Sequence, residues 1–384
     1  MKDKLLQIID ELNTEYVKMW EDVCNIESPW HHKEGVDAVG AYFIRHAEKR
    51  GWKVEVFPQD KVGNVVIITM NADVDAAPIA FSGHMDTVHE VGSFGNPPTR
   101  VDWEADKIYG PGTTDCKGGI VVGFLAMEAL WRVGYRKRPV VMYLQSDEES
   151  GGKWSADATI NHICERAQGS VGFFNLEVGV KNQLCMGIKG VVSFDFIVKG
   201  VEAHSSGCAK YGSNAILEAA YKIIELEKLK DEKGLTCCCS IIHGGTKHNI
   251  VPGECRFVAN VRFAKMSELD EFMAAAEKLC AEVKVPGCSC EMVMPRLRPA
   301  MEVCDRNFDL FHRLNEIWRE NGMTEAGYYT MTGGSDAANV SYSGVPTVEG
   351  MGNFGENLHT PHEFGYISSL AEQAKRLAVA SYYL

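Results

Sequence analysis

The sequence predicts an α/β domain interrupted by a smaller α+β domain, and three observations carry that reading. The first half alternates helix-like and strand-like segments, as a largely parallel sheet requires. From residue 187 the pattern becomes β-α-β-β-α-β, the ferredoxin-like order, and it is complete by residue 298. Helices and strands then resume. The economical division is one domain made of residues 1–186 and 299–384, with a second domain, 187–298, inserted into it.

The opening MKDKLLQIIDELNTEYVKMW breaks its apolar positions with charges at helical spacing, which predicts an amphipathic helix over 2–26 and not a signal peptide. A second helix over 34–50 leads into the strand-like runs WKVEVFPQ and NVVIITMN, and the apolar run at 78–83 reads as a buried strand. After Gly110-Pro111-Gly112 comes a glycine-opened helix, GGIVVGFLAMEALWRVG. The β-branched strand VVMYLQS then ends abruptly in Asp147-Glu148-Glu149. In the insert, VVSFDFIVKG, NAILEAAYKIIELEKL, TCCCSIIHGG, ECRFVANVRF, MSELDEFMAAAEKLCAEV and CSCEMVMPR supply the six elements. The last part holds two helix-like stretches, NFDLFHRLNEIWREN and ISSLAEQAKRLAVASYYL, with PTVEG between them.

Composition narrows the function. A chain of 384 residues suits two domains at roughly 100–200 residues each. The 39 basic against 52 acidic side chains, a net −13, exclude a general nucleic-acid or anionic-membrane binder, which needs a basic footprint. No apolar run approaches the roughly 18–20 residues of a membrane span. The 13 Cys are odd in number and mostly flanked by apolar residues, and no CxxC pair recurs. They read as buried thiols of a reducing, cytoplasmic compartment, not as a disulfide framework or zinc ribbon.

The chemistry gathers at the ends of elements. His84-Met85-Asp86 follows a strand, and residues two apart on extended chain share a face, so Asp86 can orient the His84 imidazole. Taken alone, His84 reads equally as a core or surface histidine. Asp115 lies between a polar loop and an apolar helix; a turn with a helix cap and a phosphate loop are its other readings, the latter disfavoured because GxxxxGK[ST] is absent. Three adjacent carboxylates at 147–149 repel one another unless cations or protons compensate, with a solvated acidic loop as the alternative. On extended chain Glu148 and Glu149 point opposite ways, so one can hold a metal while the other handles protons. Glu177 follows the strand-like VGFFNL, and His359 sits in the polar loop NLHTPHEF. Imidazoles and carboxylates at the ends of separate α/β elements converge on one crevice and form the donor set a divalent ion accepts.

The strings SGHMDTV, YGPGTTDCKGG, SDEESGG, NLEVG, EAHSSG, GGSDA and NLHTPHEF follow the order and approximate spacing of the M20 family of di-zinc exopeptidases and deacylases. The sequence resembles that family over nearly its whole length. It looks most like the carboxypeptidase G2, or glutamate carboxypeptidase, branch, through Asn249-Ile250-Val251-Pro252, Arg262 and Arg296-Leu297-Arg298-Pro299. The resemblance implies a zinc-exopeptidase-like catalytic domain with an inserted lid or dimerisation domain. It implies two Zn²⁺ ions, with Co²⁺ or Mn²⁺ as alternatives, bridged by Asp115, one held by His84 and Glu177 and the other by Glu149 and His359. Glu148 is then the general base and Asp86 the holder of His84. Taken alone His204 reads as an ordinary loop histidine; the resemblance implies that it reaches from the lid of one subunit into the active site of the other, in a homodimer formed through the lid.

Asn249, Arg262 and Arg298 are the implied partners of a substrate carboxylate, since Arg offers a planar fork. A snorkelling edge residue is the other reading of Arg262. The glycine-rich turn Gly333-Gly334-Ser335-Asp336-Ala337 reads as supporting structure, with Ser335 as a further candidate substrate contact. The expected reaction is removal of a C-terminal amino acid, glutamate first, from a short peptide or N-acyl conjugate. A deacylase of the acetylornithine or succinyl-diaminopimelate type is the near alternative, and a non-hydrolytic metal-dependent peptide receptor is the alternative of another class. Cys116 and Ile188-Lys189-Gly190 depart from the family pattern at positions that are not ligands. His89, His243, His248 and His362 receive no role, as surface or loop histidines.

Overall fold

Leu5, Ile9, Leu12, Tyr16, Trp20 and Val23 recur at steps of three or four, so the helix Lys2–Cys24 buries one continuous stripe. In the computed structural model, which describes residues 1–231 and 234–384, this helix packs on Lys117–Arg132 and Ile367–Tyr383. The chain divides into two units. One comprises Met1–Met186, Val303–Thr330 and Ser335–Leu384, and the other Gly187–Glu302 and Met331–Gly334. The second unit thus takes in four residues beyond 298 and a short later segment.

The first unit is built on a six-stranded sheet in the order Lys53–Phe57, Val65–Met70, Val140–Gln145, Ile79–His84, Gly172–Asn175, Thr347–Val348. The last four strands are mutually parallel, whereas the first two run antiparallel at one edge. The link between Phe57 and Val65 is too short for a crossover helix, so that edge can only be a hairpin. Ile79–His84 and Val140–Gln145 are buried at every position, as strands covered on both faces must be. Val66, Ile68 and Met70 face the helices of both chain ends, while Val65 and Ile67 face Ile160, Ile163 and Val340 on the opposite side. The result is a helix–sheet–helix sandwich in which the strand ends carry the polar motifs.

A small antiparallel sheet of Gly355–Glu356, Phe364–Tyr366, Lys107–Tyr109 and Arg100–Asp102 has no counterpart in the sequence prediction. Its strands, at two or three residues, are too short to show periodicity. It joins the loop before Asp115 to the loop that carries His359.

The second unit holds the ferredoxin-like order. Its sheet runs Thr236–Gly244, Glu254–Phe263, Gly190–Lys199, Ser289–Val293, antiparallel throughout, with helices Ala215–Leu226 and Met266–Ala281 packed against it. Cys255, Phe257, Ala259, Val261 and Phe263 alternate into its core, with Phe196 stacked on Phe257 at 4.7 Å. All 13 cysteines are free thiols, and seven of them are buried. Among the described residues no helix is long and apolar enough to cross a membrane.

Candidate metal centre and active site

Five side chains singled out by the motifs meet in the first unit. Strand Ile79–His84 ends at His84, the helix beginning at Lys117 follows Asp115, strand Val140–Gln145 runs out toward Glu149, and strand Gly172–Asn175 toward Glu177. His84 Nε2 lies 3.0 Å from Asp115 Oδ1 and 3.4 Å from Glu177 Oε1. His359 Nε2 lies 2.9 Å from the other oxygen, Asp115 Oδ2, and 3.5 Å from Glu149 Oε2. One carboxylate is thus shared between two imidazoles, each with a further carboxylate beside it.

Gly118 and Gly119 serve packing. A Cβ on Gly119 would lie 1.8 Å from the Leu176 carbonyl oxygen, so only glycine lets the helix approach the segment that leads to Glu177.

The donor set fits a cation on the chemistry of its own atoms. His84 Nδ1 faces acceptors alone, the Asp86 carbonyl at 2.9 Å and Asp86 Oδ1 at 3.5 Å, so in the neutral ring the proton sits on Nδ1. The Nε2 lone pair then points at two carboxylate oxygens, an arrangement that needs positive charge. Asp86 Oδ1 is buried with no hydrogen bond beyond its 3.5 Å approach to His84 Nδ1, while Asp86 Oδ2 accepts from the Glu149 amide at 2.9 Å. Asp86 therefore ties the segments of His84 and Glu149 together.

Electrostatics give the same picture. Burial pushes Glu177 up to about 7 and holds Glu149 well above the ordinary carboxylate range. Burial also acts on Asp115, but bonds to His359 and His84 outweigh it and hold Asp115 far below its usual value. The bond to Asp115 raises His359; His84 is raised despite burial by the carboxylates of Glu177 and Asp115.

Three features lay beyond the sequence reading. Cys116 Sγ comes near His84 and Glu177, within 4.8 Å in ligand-atom separation. Burial keeps it a neutral thiol, and it donates to the Leu176 carbonyl at 3.5 Å, so it lines the site without carrying charge. Glu349, buried, accepts from Asn175 Nδ2 and Ser335 Oγ at 2.9 Å each, with burial raising its pKa. Glu363, fully buried, is the splint of the Asp115 loop. Its Oε1 accepts from the amides of Thr114 at 2.8 Å and Asp115 at 3.0 Å, while Oε2 accepts from Gly112 N at 3.3 Å and faces His89 Nε2 at 2.6 Å. His89 is accordingly a buried partner and not a surface histidine. A carboxylate whose partners are backbone amides leaves no sequence pattern; its only signal was a Glu four residues after His359.

Glu363→Gln supplies an amide N–H where donors already converge. We expect it to lower unfolding free energy by about 1–3 kcal/mol and weaken metal binding about 10–100-fold, read by denaturant titration and by competition with a chelator. Unchanged metal affinity would remove Glu363 from the support of Asp115.

Ser335 corrects an expectation. It is 1% exposed and its hydroxyl is engaged by Glu349, Asn175 and the Ala337 amide, so it caps helix Asp336–Tyr342 and offers nothing to a substrate. Glu148, 9% exposed, sits beside Glu149, and its charge acts on Glu149, Glu177 and His359. His204, Asn249, Arg262 and Arg298 belong to the second unit. There the Ser205 amide donates to the Asn249 carbonyl at 2.9 Å, placing His204 beside Asn249. Arg262 donates to the Thr332 carbonyl, and Arg298 lies against Gly334, where a Cβ would come 2.3 Å from Nη1.

A carboxylate–imidazole cluster at the strand ends of an α/β sandwich defines a metal-dependent hydrolase. The chain belongs to peptidase family M20/M25/M40, whose profile matches residues 80–381. It is 27% identical over 372 residues to carboxypeptidase G2 of Pseudomonas sp. (strain RS-16), covering 96% of this chain and 86% of that protein. It is 28% identical over 244 residues to succinyl-diaminopimelate desuccinylase of Dechloromonas aromatica, covering 58% and 62%. Among solved structures, a tripeptidase of Staphylococcus aureus superposes with a TM-score of 0.77 at 19% identity, covering 97% of this chain and 98% of that one. A Bacillus subtilis protein described as a dinuclear metal binding peptidase of the M20 family gives 0.71 at 17% identity, covering 97% and 98%.

Proposed function

We propose that the protein is a cytoplasmic di-zinc exopeptidase that releases a C-terminal amino acid, glutamate first, from short peptides or N-acyl conjugates. The observation that carries the reading is the Asp115 carboxylate divided between His84 and His359, with Glu177 and Glu149 beside them. His84 and Glu177 would hold one ion, His359 and Glu149 the other, with Asp115 common to both; Co²⁺ or Mn²⁺ could replace zinc in an N/O donor set. When bound, such ions supply the Lewis acidity that polarises a scissile carbonyl and acidifies the attacking water.

The chain's residues do the rest. Glu148 accepts the proton of the attacking water and returns it to the leaving amine nitrogen, acting first as base and then as acid. Asp86 keeps the His84 proton on Nδ1, leaving Nε2 free as a ligand. His204, from the second unit of a partner subunit, donates to the oxyanion that develops on the substrate carbonyl. Asn249, Arg262 and Arg298 hold the carboxylate of the leaving residue. The uniformly free thiols support the reducing compartment.

The surface of the second unit supports the homodimer. Ile216, Leu217, Tyr221 and Ile224 are exposed on helix Ala215–Leu226, and the edge strand Thr236–Gly244 exposes Ile241 and Ile242. Leu217→Glu combined with Ile224→Glu is expected to convert a sedimenting dimer to monomer and to lower kcat by about 100-fold or more, through loss of the partner's His204. A wild-type monomer with full activity would refute the shared site.

Similarity to a succinyl-diaminopimelate desuccinylase favours one second reading, deacylation of an N-acyl amino acid. Assay of zinc-loaded protein against dipeptides, N-acetyl and N-succinyl substrates, identifying the amine released, separates the two. Binding without turnover across that panel would point to a receptor.

A further inference from the structure

The proposed reaction makes no use of Glu349, a side chain only 1% exposed. Taking a carboxyl group out of water is costly unless partners compensate, so its partners indicate what holds it there. Oε2 accepts from Asn175 Nδ2 and from Ser335 Oγ, both at 2.9 Å, and Asn175 Nδ2 also donates to Ser335 Oγ at 3.0 Å. The three side chains, all buried, close a ring of hydrogen bonds. Asn175 ends strand Gly172–Asn175, two residues before Glu177. Ser335 is where the chain re-enters the first unit after Met331–Gly334. The backbone of Glu349 is bound as well. Its carbonyl accepts from the Cys185 amide at 3.0 Å and its amide donates to the Cys185 carbonyl at 3.3 Å, one residue before the chain leaves the first unit after Met186.

From Glu349 the chain runs alongside the segment that bears Glu177. The Met351 amide donates to the Asn175 carbonyl at 3.0 Å, the Gly352 amide to the Glu177 carbonyl at 2.9 Å, and the Gly179 amide to the Asn353 carbonyl at 2.9 Å. A Cβ on Gly352 would lie 2.1 Å from the Leu176 carbonyl oxygen and 2.6 Å from that of Glu177, so only glycine admits this approach. At the far end Asn353 Nδ2 donates to the Thr113 carbonyl at 3.1 Å, on the loop that carries Asp115. Residues 349–353 therefore form a strut between the Asp115 loop and Glu177, and Glu349 fixes its start.

We propose that Glu349 is a positioning residue: it locks the strut, and with it Glu177, to the points at which the chain leaves the first unit and returns to it. It acts through Asn175 and Ser335 and is not itself one of the proposed ligands. The proposal rests on the metal-centre reading above. Both side-chain donors are neutral, so what they need is an acceptor oxygen, which glutamine also supplies. A side chain without an acceptor leaves Asn175 and Ser335 unsatisfied and frees the end of the strand. Glu177 is the ligand most affected, because the bonds of the strut bracket it on both sides.

The test compares Glu349→Ala and Glu349→Gln with wild type by two readouts. One is zinc affinity, from competition with a chelator. The other is hydrogen exchange of the Gly179, Met351 and Gly352 amides in metal-free protein. Glu349→Ala is expected to weaken the binding of one of two ions by about 10–100-fold and to speed exchange of the three amides by about tenfold, while the second-unit strands Gly190–Lys199 and Glu254–Phe263 exchange as in wild type. Glu349→Gln is expected to stay within about threefold of wild type in both readouts. Wild-type affinity and exchange in Glu349→Ala, equal damage from both variants, or faster exchange spread evenly into the second unit overturns the positioning role. If Glu349→Ala does not fold, Ser335→Ala removes one donor of the ring instead; faster exchange at the three amides sustains the role and unchanged exchange overturns it. A wild type that binds no zinc would refute the metal-centre reading, and the exchange arm would still decide whether Glu349 holds the strut.

Discussion

Zinc-loaded Glu148→Gln protein is expected to turn over at about 10²–10⁴-fold below wild type while keeping its full metal content. Glutamine preserves the shape of a nearly buried side chain but cannot take a proton from water or hand one to an amine. The carboxylate oxygens that face His84 and His359 belong to Asp115, Glu149 and Glu177, so removing the Glu148 charge leaves the proposed ligand set intact. The measurement is kcat alongside elemental analysis of the same sample. A variant within tenfold of wild type would sink the assignment of Glu148, and a variant that had lost metal would move Glu148 from proton transfer to ligation.

Asp115→Asn should be still more damaging, because it strikes both halves of the centre. Each carboxylate oxygen faces a different imidazole, at 3.0 Å and 2.9 Å, and the amide can present an oxygen to only one of them. Its NH₂ group faces the other, where a cation would have to sit. We expect retained metal to fall from two ions per chain to at most one after dialysis, and kcat/KM to fall by about 10³-fold or more. Full retention of both ions would exclude Asp115 as the shared ligand. A folded-state control is available in the Trp20 indole, which donates to the Thr113 carbonyl at 3.0 Å and so reports on the same loop.

How much of this was readable in advance follows from what each residue must do. His84, Asp115, Glu149, Glu177 and His359 each admit an ordinary structural reading when taken singly, and it is the resemblance of their motifs, in order and spacing, to the M20 family that singles them out together. Their meeting in one cluster follows from parallel strands ending on the same side. Glu363 and Glu349 were invisible for the opposite reason. Their partners are backbone amides, an asparagine, a serine and the distant His89, and a buried carboxylate satisfied in that way looks like a solvated one when only the chain is read. Ser335 was misjudged because a serine after two glycines marks a turn without saying which way its hydroxyl faces. The ferredoxin-like insert was legible because its strands are long enough to alternate. The small sheet was not, since contacts between residues 107 and 366 decide it and no local pattern records them.

That small sheet has a consequence for how the centre comes into being. Strand Phe364–Tyr366 pairs with Lys107–Tyr109, and Glu363 grips the amides of Gly112, Thr114 and Asp115, all some 250 residues earlier in the chain. During synthesis His84, Asp115, Glu149 and Glu177 leave the ribosome long before His359 and its splint. A nascent chain, or a fragment cut short of residue 359, lacks the Glu363 bonds to the amides of Gly112, Thr114 and Asp115 and holds only one of the two imidazoles. The centre is thus complete only once the chain has been made past residue 366, and the proposed hydrolysis cannot begin on a shorter product.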